Sequence, residues 1–202
     1  MKLYYTPGAC SLAVHIVLRE ADYGFGLVRV DLATHRTEHG DDYRAINPKG
    51  YVPALQFMDG QLLTEDQVIL QYLADHKPEA KLAPPAGTME RYRLMEWLAF
   101  IATELHKGFG PLWNPNAPIE TRQAALDNLS RRFDYVEALM GAQPYLTGEH
   151  FTLADAYLFT VLNWAHYHHI DLGPWPHLTA LHKRVAERPA VAAAMRAEGL
   201  VA

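Results

Sequence analysis

The spacing of apolar residues changes character once along these 202 residues. Up to about residue 75 the apolar runs are short and interrupted by Gly, Pro and Asp-Gly. Lys2–Tyr5 is a β-prone run broken by Pro7-Gly8, and Ser11–Ala21 carries Leu12, Ile16 and Val17 at helical spacing. Phe25–Val30 predicts a second strand, Asp31–Gly40 a polar loop and Asp41–Ile46 a short irregular helix. Pro53–Phe57 predicts a third strand opening on proline, which lacks an N–H and belongs at strand starts, edges or bulges. Asp59-Gly60 is a hairpin signal, with Gln61–Leu63 as the return strand. Thr64 with Gln67 has the spacing of a capping box, Leu63 with Val68 that of a staple. Val68, Ile69, Tyr72 and Leu73 then mark an amphipathic helix. The order is βαβα followed by ββα. Strands joined through a helix should be parallel, and the hairpin adds antiparallel neighbours.

Residues 77–87 contain Pro78, Pro84, Pro85 and Gly87 and read as a linker. Beyond it only helical periods remain. Thr88–Phe109 predicts one long helix stopped by Pro111, and Pro118–Gly141 another, with Leu126, Leu129, Phe133, Val136 and Met140 in register. Arg131, Arg132 and Asp134 on that helix read as a solvated face. Thr152–Tyr167 is apolar nearly all round, the mark of a buried helix, and Thr152 and Asp155 form the acidic version of a capping box at its start. Two shorter helices, His177–Arg188 and Ala190–Glu198, are separated by Pro189. The expected organisation is an α/β domain over 1–76 and an all-helical domain over 88–202.

Composition narrows the classes. A net charge of −5 with no basic stripe argues against nucleic acid. No apolar run is long enough for a membrane helix, and Met1-Lys2-Leu3 opens no signal-peptide pattern. One cysteine cannot form an internal disulfide, which points to a reducing, cytoplasmic setting and to Cys10 as chemistry.

Cys10 follows Pro7-Gly8-Ala9 at the start of the first predicted helix, where the partial positive charge of a helix end favours a thiolate. Ser11-Leu12-Ala13 supplies no second cysteine at the C-x-x-C spacing, which disfavours a dithiol oxidoreductase and leaves a monothiol reaction open. A cis Val52-Pro53 bond would turn the Val52 N–H and C=O away from the sheet, free to pair with an extended peptide. The first N–H groups of the next helix suit a carboxylate, and Glu65 suits an ammonium. A free carboxylate beside a free amine on an extended peptide describes the γ-glutamyl end of glutathione. His106 and Lys107 fall late in the long helix, where a lone histidine is more often structural than catalytic. His166 and His169 share a helix face, but with no acidic or cysteine partner nearby no metal is expected.

Four segments carry a family resemblance: Tyr4 to Ala13, Asn47 to Leu55, Leu63-Thr64-Glu65 and Glu104-Leu105-His106-Lys107. Together they resemble a bacterial beta-class glutathione S-transferase, essentially end to end. The resemblance implies a thioredoxin-like N-terminal domain followed by an all-α C-terminal domain, the glutathione transferase fold, working as a homodimer. It implies glutathione as co-substrate along Tyr51, Val52 and Pro53, with its γ-glutamyl end at Glu65 and Asp66. Its glycyl carboxylate would meet His35 and Arg36, and its sulfur would lie near Cys10, Ser11 and His106. Thr103, Glu104 and Lys107 would help close the site. Three positions depart from the class pattern: Asp66 where Ser or Gly is usual, Ala99 where Asn is frequent, and His35 where Lys is usual.

The expected activity is glutathione transfer to a small electrophile, with Trp113, Trp164 and Tyr167 as aromatic pocket walls. Disulfide exchange through Cys10 is a second expectation. A non-catalytic ligand carrier on the same fold is the alternative, since fold alone does not fix function.

Overall fold

A computed structural model describes residues 1–201. They divide into two compact units, residues 1–83 together with those from Arg188 onward, and Pro84–Glu187.

The first unit is built on a five-stranded sheet of order β3-β2-β1-β4-β5. Strands β1 (Lys2–Tyr5) and β2 (Gly26–Asp31) are parallel and joined through α1 (Ser11–Glu20). Strand β4 (Ala54–Gln56) runs antiparallel to β1, and β5 (Leu62–Thr64) antiparallel to β4 across the Asp59-Gly60 turn. Within the segment expected to be loop, Arg36–Thr37 forms β3, antiparallel to β2. Two residues are too few to show a period. Helix α2 (Tyr43–Ile46) opens with Asp42 accepting from Arg44 N, and α3 (Asp66–His76) follows β5.

The expected cap on α3 is not formed. Thr64 ends β5 and its hydroxyl accepts from Lys49 Nζ, while Glu65 takes the left-handed φ of 74° and precedes the first helical residue, Asp66. The pleat holds Thr64 in the strand, so the turn into the helix comes one residue later. The Val52-Pro53 bond is cis, as expected.

Helix α1 is buried from Ser11 to Leu18. Sheet residues Tyr4, Val28 and Val30 pack with Tyr43, Val52 and Ala54. Helix α9 (Pro189–Ala197) belongs with this unit and not with the helical one, so the expected helical domain over 88–202 stops short of it. Two long-range contacts explain why: Arg188 makes a two-pronged ion pair with Glu20 at 2.7 and 2.8 Å, and Glu198 meets His15 at 2.8 Å, both side chains fully buried.

In the second unit, α4 (Met89–Phe100) does not run unbroken to Phe109. It widens into a π-helical turn at Ile101–His106, tightens to a 3₁₀ turn at Lys107–Phe109 and restarts as α5 (Gly110–Trp113). Pro111 has no N–H for the Lys107 carbonyl and its ring would clash there, so the α-helical ladder cannot pass. Proline therefore opens α5 instead of ending the long helix. Gly108 lies close to Leu129: a Cβ there would come 2.9 Å from Leu129 Cδ2, so that side chain would have to shift.

Helix α6 (Ile119–Met140) buries Leu129, Phe133, Val136 and Met140, with Ala125 in place of the expected Leu126. Its charged residues are not simply solvated. Arg132 pairs with Glu104 at 2.7 Å, and Asp134 accepts from Trp175 Nε1 at 2.7 Å. Helix α7 (Leu153–Tyr167) is buried almost throughout and opens on the expected capping box, before α8 (Pro176–Ala186). No described helix is long and apolar enough to cross a membrane.

Candidate active site

In the first unit, the loop after β1 places Cys10 at the N-cap of α1, half-buried, with Sγ donating to the Val52 carbonyl at 3.1 Å. The carbonyl before Val52 is fixed from behind: Tyr51 O accepts from Tyr43 Oη at 2.9 Å and from Asn47 Nδ2 at 2.8 Å. Asn47 Oδ1 also accepts from Lys49 N, closing the turn that Pro48 and Gly50 shape. Gly50 sits at φ 74° with His35 Cε1 3.3 Å from where a Cβ would be, so a larger residue would be strained and crowded. The Asn47-to-Val52 segment is thus a braced backbone edge beside the thiol.

The helix end was expected to favour the Cys10 thiolate, but the opposite holds. Burial, and then the nearby Asp66 carboxylate, push the thiol well above its ordinary pKa and outweigh the backbone N–H groups of Ser11 and Cys10. Cys10 Sγ and an Asp66 carboxylate oxygen lie within 4.8 Å of each other. Asp66 is only 6 % exposed, and its Oδ1 has no hydrogen-bond partner among the described residues. Burial first, and Glu65 beside it, raise the Asp66 carboxyl well above the usual range. At neutral pH Cys10 is therefore a thiol donor, and the carboxyl beside it holds its proton more tightly than usual.

Glu65 is engaged by Lys49 Nζ and by Tyr51 Oη at 2.7 Å, an exposed cluster at the edge of the sheet. Lys49 was not singled out as a site residue, although it stands in the Asn47-to-Leu55 motif. Ser11 is fully buried and its hydroxyl closes on Thr6, accepting from the amide at 3.2 Å and donating to the carbonyl at 3.3 Å. That bond shapes the loop carrying Cys10. His35, at a left-handed φ of 53°, meets Arg44 at 3.0 Å, and Arg36 donates to Gly40 O. Pro53 is buried ahead of β4.

The second unit holds the remaining predicted residues. His106 ends the π-helical turn, and its Nδ1 lies 2.7 Å from the Tyr157 hydroxyl on α7, a partner no local signal reveals. Thr103 bonds back to the Ala99 carbonyl, Glu104 is held by Arg132, and Lys107 is exposed. Trp113, Trp164 and Tyr167 do come together: Trp113 lies 5.8 Å from Trp164 and 6.0 Å from Tyr167, ring centre to ring centre. His106 packs edge-on to Trp164 at 4.9 Å, and His168 to Trp113 at 4.3 Å. His168 is thus part of an aromatic wall, and burial lowers its pKa.

A cysteine at the mouth of α1, a braced edge before a cis-proline and a separate helical unit define a thioredoxin-like domain joined to an all-α one. Residues 8–76 match the glutathione S-transferase N-terminal domain family and residues 100–189 the glutathione S-transferase C-terminal domain family. The chain is 51 % identical over 200 residues to glutathione S-transferase GstA of Escherichia coli O157:H7, covering 99 % of this chain and all of that one. It superposes on a sphingomonad glutathione S-transferase complexed with glutathione at TM-score 0.95 and 43 % identity, covering the full length of both. The bacterial beta-class enzyme of Sphingomonas chungbukensis gives TM-score 0.96 at 46 % identity, again over both full lengths. The chain belongs to the glutathione S-transferase family and stands close to its bacterial beta class.

Proposed function

We propose that this protein is a glutathione transferase that joins the glutathione sulfur to a small electrophile. The observation that carries this reading is the Cys10 thiol beside the braced Val52 edge, in a chain whose relatives include one solved with glutathione. The γ-glutamyl end lies at Glu65 and Asp66, the backbone pairs with Val52, and the glycyl carboxylate meets His35 and Arg36. Because Cys10 keeps its proton, it donates to the glutathione thiolate instead of competing for the negative charge; adjacent thiols titrate as a pair. The glutathione sulfur then attacks the electrophilic carbon, forming a C–S bond as the leaving group departs with its electron pair. Thr103, Glu104, His106 and Lys107 serve glutathione in this proposal, and the aromatic wall of Trp113, Trp164 and Tyr167 receives the electrophile.

Calorimetry with glutathione, followed by conjugation assays on aryl halides, epoxides and haloacids, tests the reading. No binding at millimolar glutathione would favour the non-catalytic carrier.

A second activity is favoured by Cys10 being the chain's single thiol. Its sulfur attacks a glutathione mixed disulfide, forming a Cys10–glutathione disulfide and releasing the other thiol with one proton. Cys10→Ala and Cys10→Ser should both lose this exchange while keeping measurable conjugation. Full disulfide-reductase activity in both variants would eliminate the exchange role.

We further infer a cytoplasmic homodimer. Met89, Tyr92 and Met95 expose apolar side chains at i, i+3, i+6 along α4, with Tyr135 and Leu139 exposed on α6. Light scattering reads the assembly directly.

A further inference from the structure

His15 lies in the middle of the buried face of α1, within the run Leu12 to Leu18, and is itself fully buried. A buried polar group needs partners, and here they form a chain with forced directions. Arg19 Nε can only donate, so His15 Nε2 accepts it at 2.9 Å. The ring proton therefore sits on Nδ1 and is donated to Glu198 Oε1 at 2.8 Å. The other oxygen, Glu198 Oε2, accepts from the Gly8 amide at 2.9 Å. Gly8 stands two residues before Cys10, at φ 71°, with Leu200 Cδ2 3.3 Å from the place a Cβ would take. The end of the chain thus holds the turn that presents the thiol. Both carboxylate oxygens are acceptors, a demand that the side chain of glutamine cannot meet.

We propose that Glu198 is a positioning residue for Cys10: by accepting from Gly8 and His15 together, it fixes the Pro7-Gly8-Ala9 turn and holds Sγ half-buried against the Val52 carbonyl. The inference rests on the reading that the protein's chemistry passes beside Cys10, and it stands whichever thiol reaction is run. Release of the turn has two effects of opposite sign. The sulfur becomes more open to a small reagent, and it loses its fixed place in turnover, where misplacement by about 1 Å can cost up to a hundredfold.

The test uses the full-length protein, in which iodoacetamide labels Cys10 alone because no other cysteine exists. In Glu198→Gln, alkylation should be roughly tenfold faster. Turnover of a glutathione mixed disulfide, in which free glutathione regenerates the Cys10 thiol and leaves as glutathione disulfide, should fall about tenfold, with KM within twofold because Val52 and Glu65 lie on other elements. A purely structural role would lower the melting temperature and leave both rates unchanged at temperatures where circular dichroism shows the variant folded. If Glu198→Gln does not fold, Glu198→Asp carries the same expectation, since it keeps the charge but is one methylene too short to hold both donors. A folded variant of either kind with wild-type alkylation and turnover overturns the proposal. Faster alkylation in a protein whose wild type shows no exchange would sink the exchange reading and leave the positioning role standing.

Discussion

Truncating Asp155 to alanine should cost about twice as much stability at pH 4.5 as at pH 7. Its carboxyl is fully buried and accepts three hydrogen bonds: from Thr152 N at 2.7 Å, from the Thr152 hydroxyl at 2.9 Å and from Leu146 N at 2.8 Å. Alanine leaves two backbone N–H groups without acceptors, at roughly 1–3 kcal/mol each, so about 4 kcal/mol is lost while the acid is mostly protonated. Two effects on the ionised form compete. Three donors favour the carboxylate, and burial disfavours it. Burial prevails, raising the pKa from 3.8 to about 6. A raised folded-state pKa means that the native protein binds its proton more tightly than the unfolded chain, so stability falls as pH rises from about 4 to about 6. Between pH 4.5 and 7 this single group takes about 2 kcal/mol from the wild type. The alanine variant loses nothing, so the measured gap should narrow from about 4 to about 2 kcal/mol. Urea denaturation of both proteins at both pH values, at equal protein concentration, isolates the difference because all other titrating groups cancel. A gap that is constant, or wider at pH 7, would refute the argument, showing that the three donors outweigh burial.

At a pH where the Asp66 carboxyl is ionised, replacing it by serine should tighten glutathione binding about fivefold by calorimetry, which corresponds to removing roughly 1 kcal/mol of repulsion toward the γ-glutamyl carboxylate. The same change should lower the Cys10 thiol pKa, read by alkylation against pH, because the Asp66 carboxylate is one cause of its rise. Weaker binding would make Asp66 an ammonium ligand in its own right. Lys49→Met should alter stability by less than about 1 kcal/mol, since its pair with Glu65 is nearly half exposed. It should also tighten glutathione binding by freeing Glu65 for the ligand's ammonium, and a weakened complex would show that Lys49 itself contacts the ligand.

The features legible in the sequence are those whose causes lie within a few residues. The Thr152-Asp155 box, the Asp59-Gly60 hairpin and the proline at the mouth of β4 all came through. Failures cluster where a distant partner decides. Thr64 has the spacing of a cap, but β5 pairing with β4 holds it as Ala54's neighbour across the ladder. Glu198 reads as the end of a short helix, yet its partner His15 lies 183 residues earlier. One signal for that contact was present: a histidine in the middle of an apolar helical run demands a buried acceptor. Nothing comparable marks Tyr157 as the partner of His106, because a tyrosine in an apolar helix is ordinary core.

Asp66 and Asp155 make the same distinction with a single residue type. Both sit in the first turn of a helix, both are buried, and burial raises the pKa of each. Asp155 is surrounded by donors from residues 146 and 152, so both its oxygens have partners and its role is the cap that its spacing announces. Asp66 has one oxygen with no partner among the described residues and a thiol from 56 positions earlier in the chain within 4.8 Å of its carboxylate. A buried carboxyl that is not fully hydrogen-bonded is a cost no fold needs at a helix start, where serine would serve. Local rules are expected to fail at functional sites. Burial first, and this carboxylate second, raise the Cys10 pKa, so the residue at position 66 also bears on the thiol's state. Variation at position 66 should therefore tune how far such a protein works by sulfur transfer from glutathione and how far by exchange at its own cysteine.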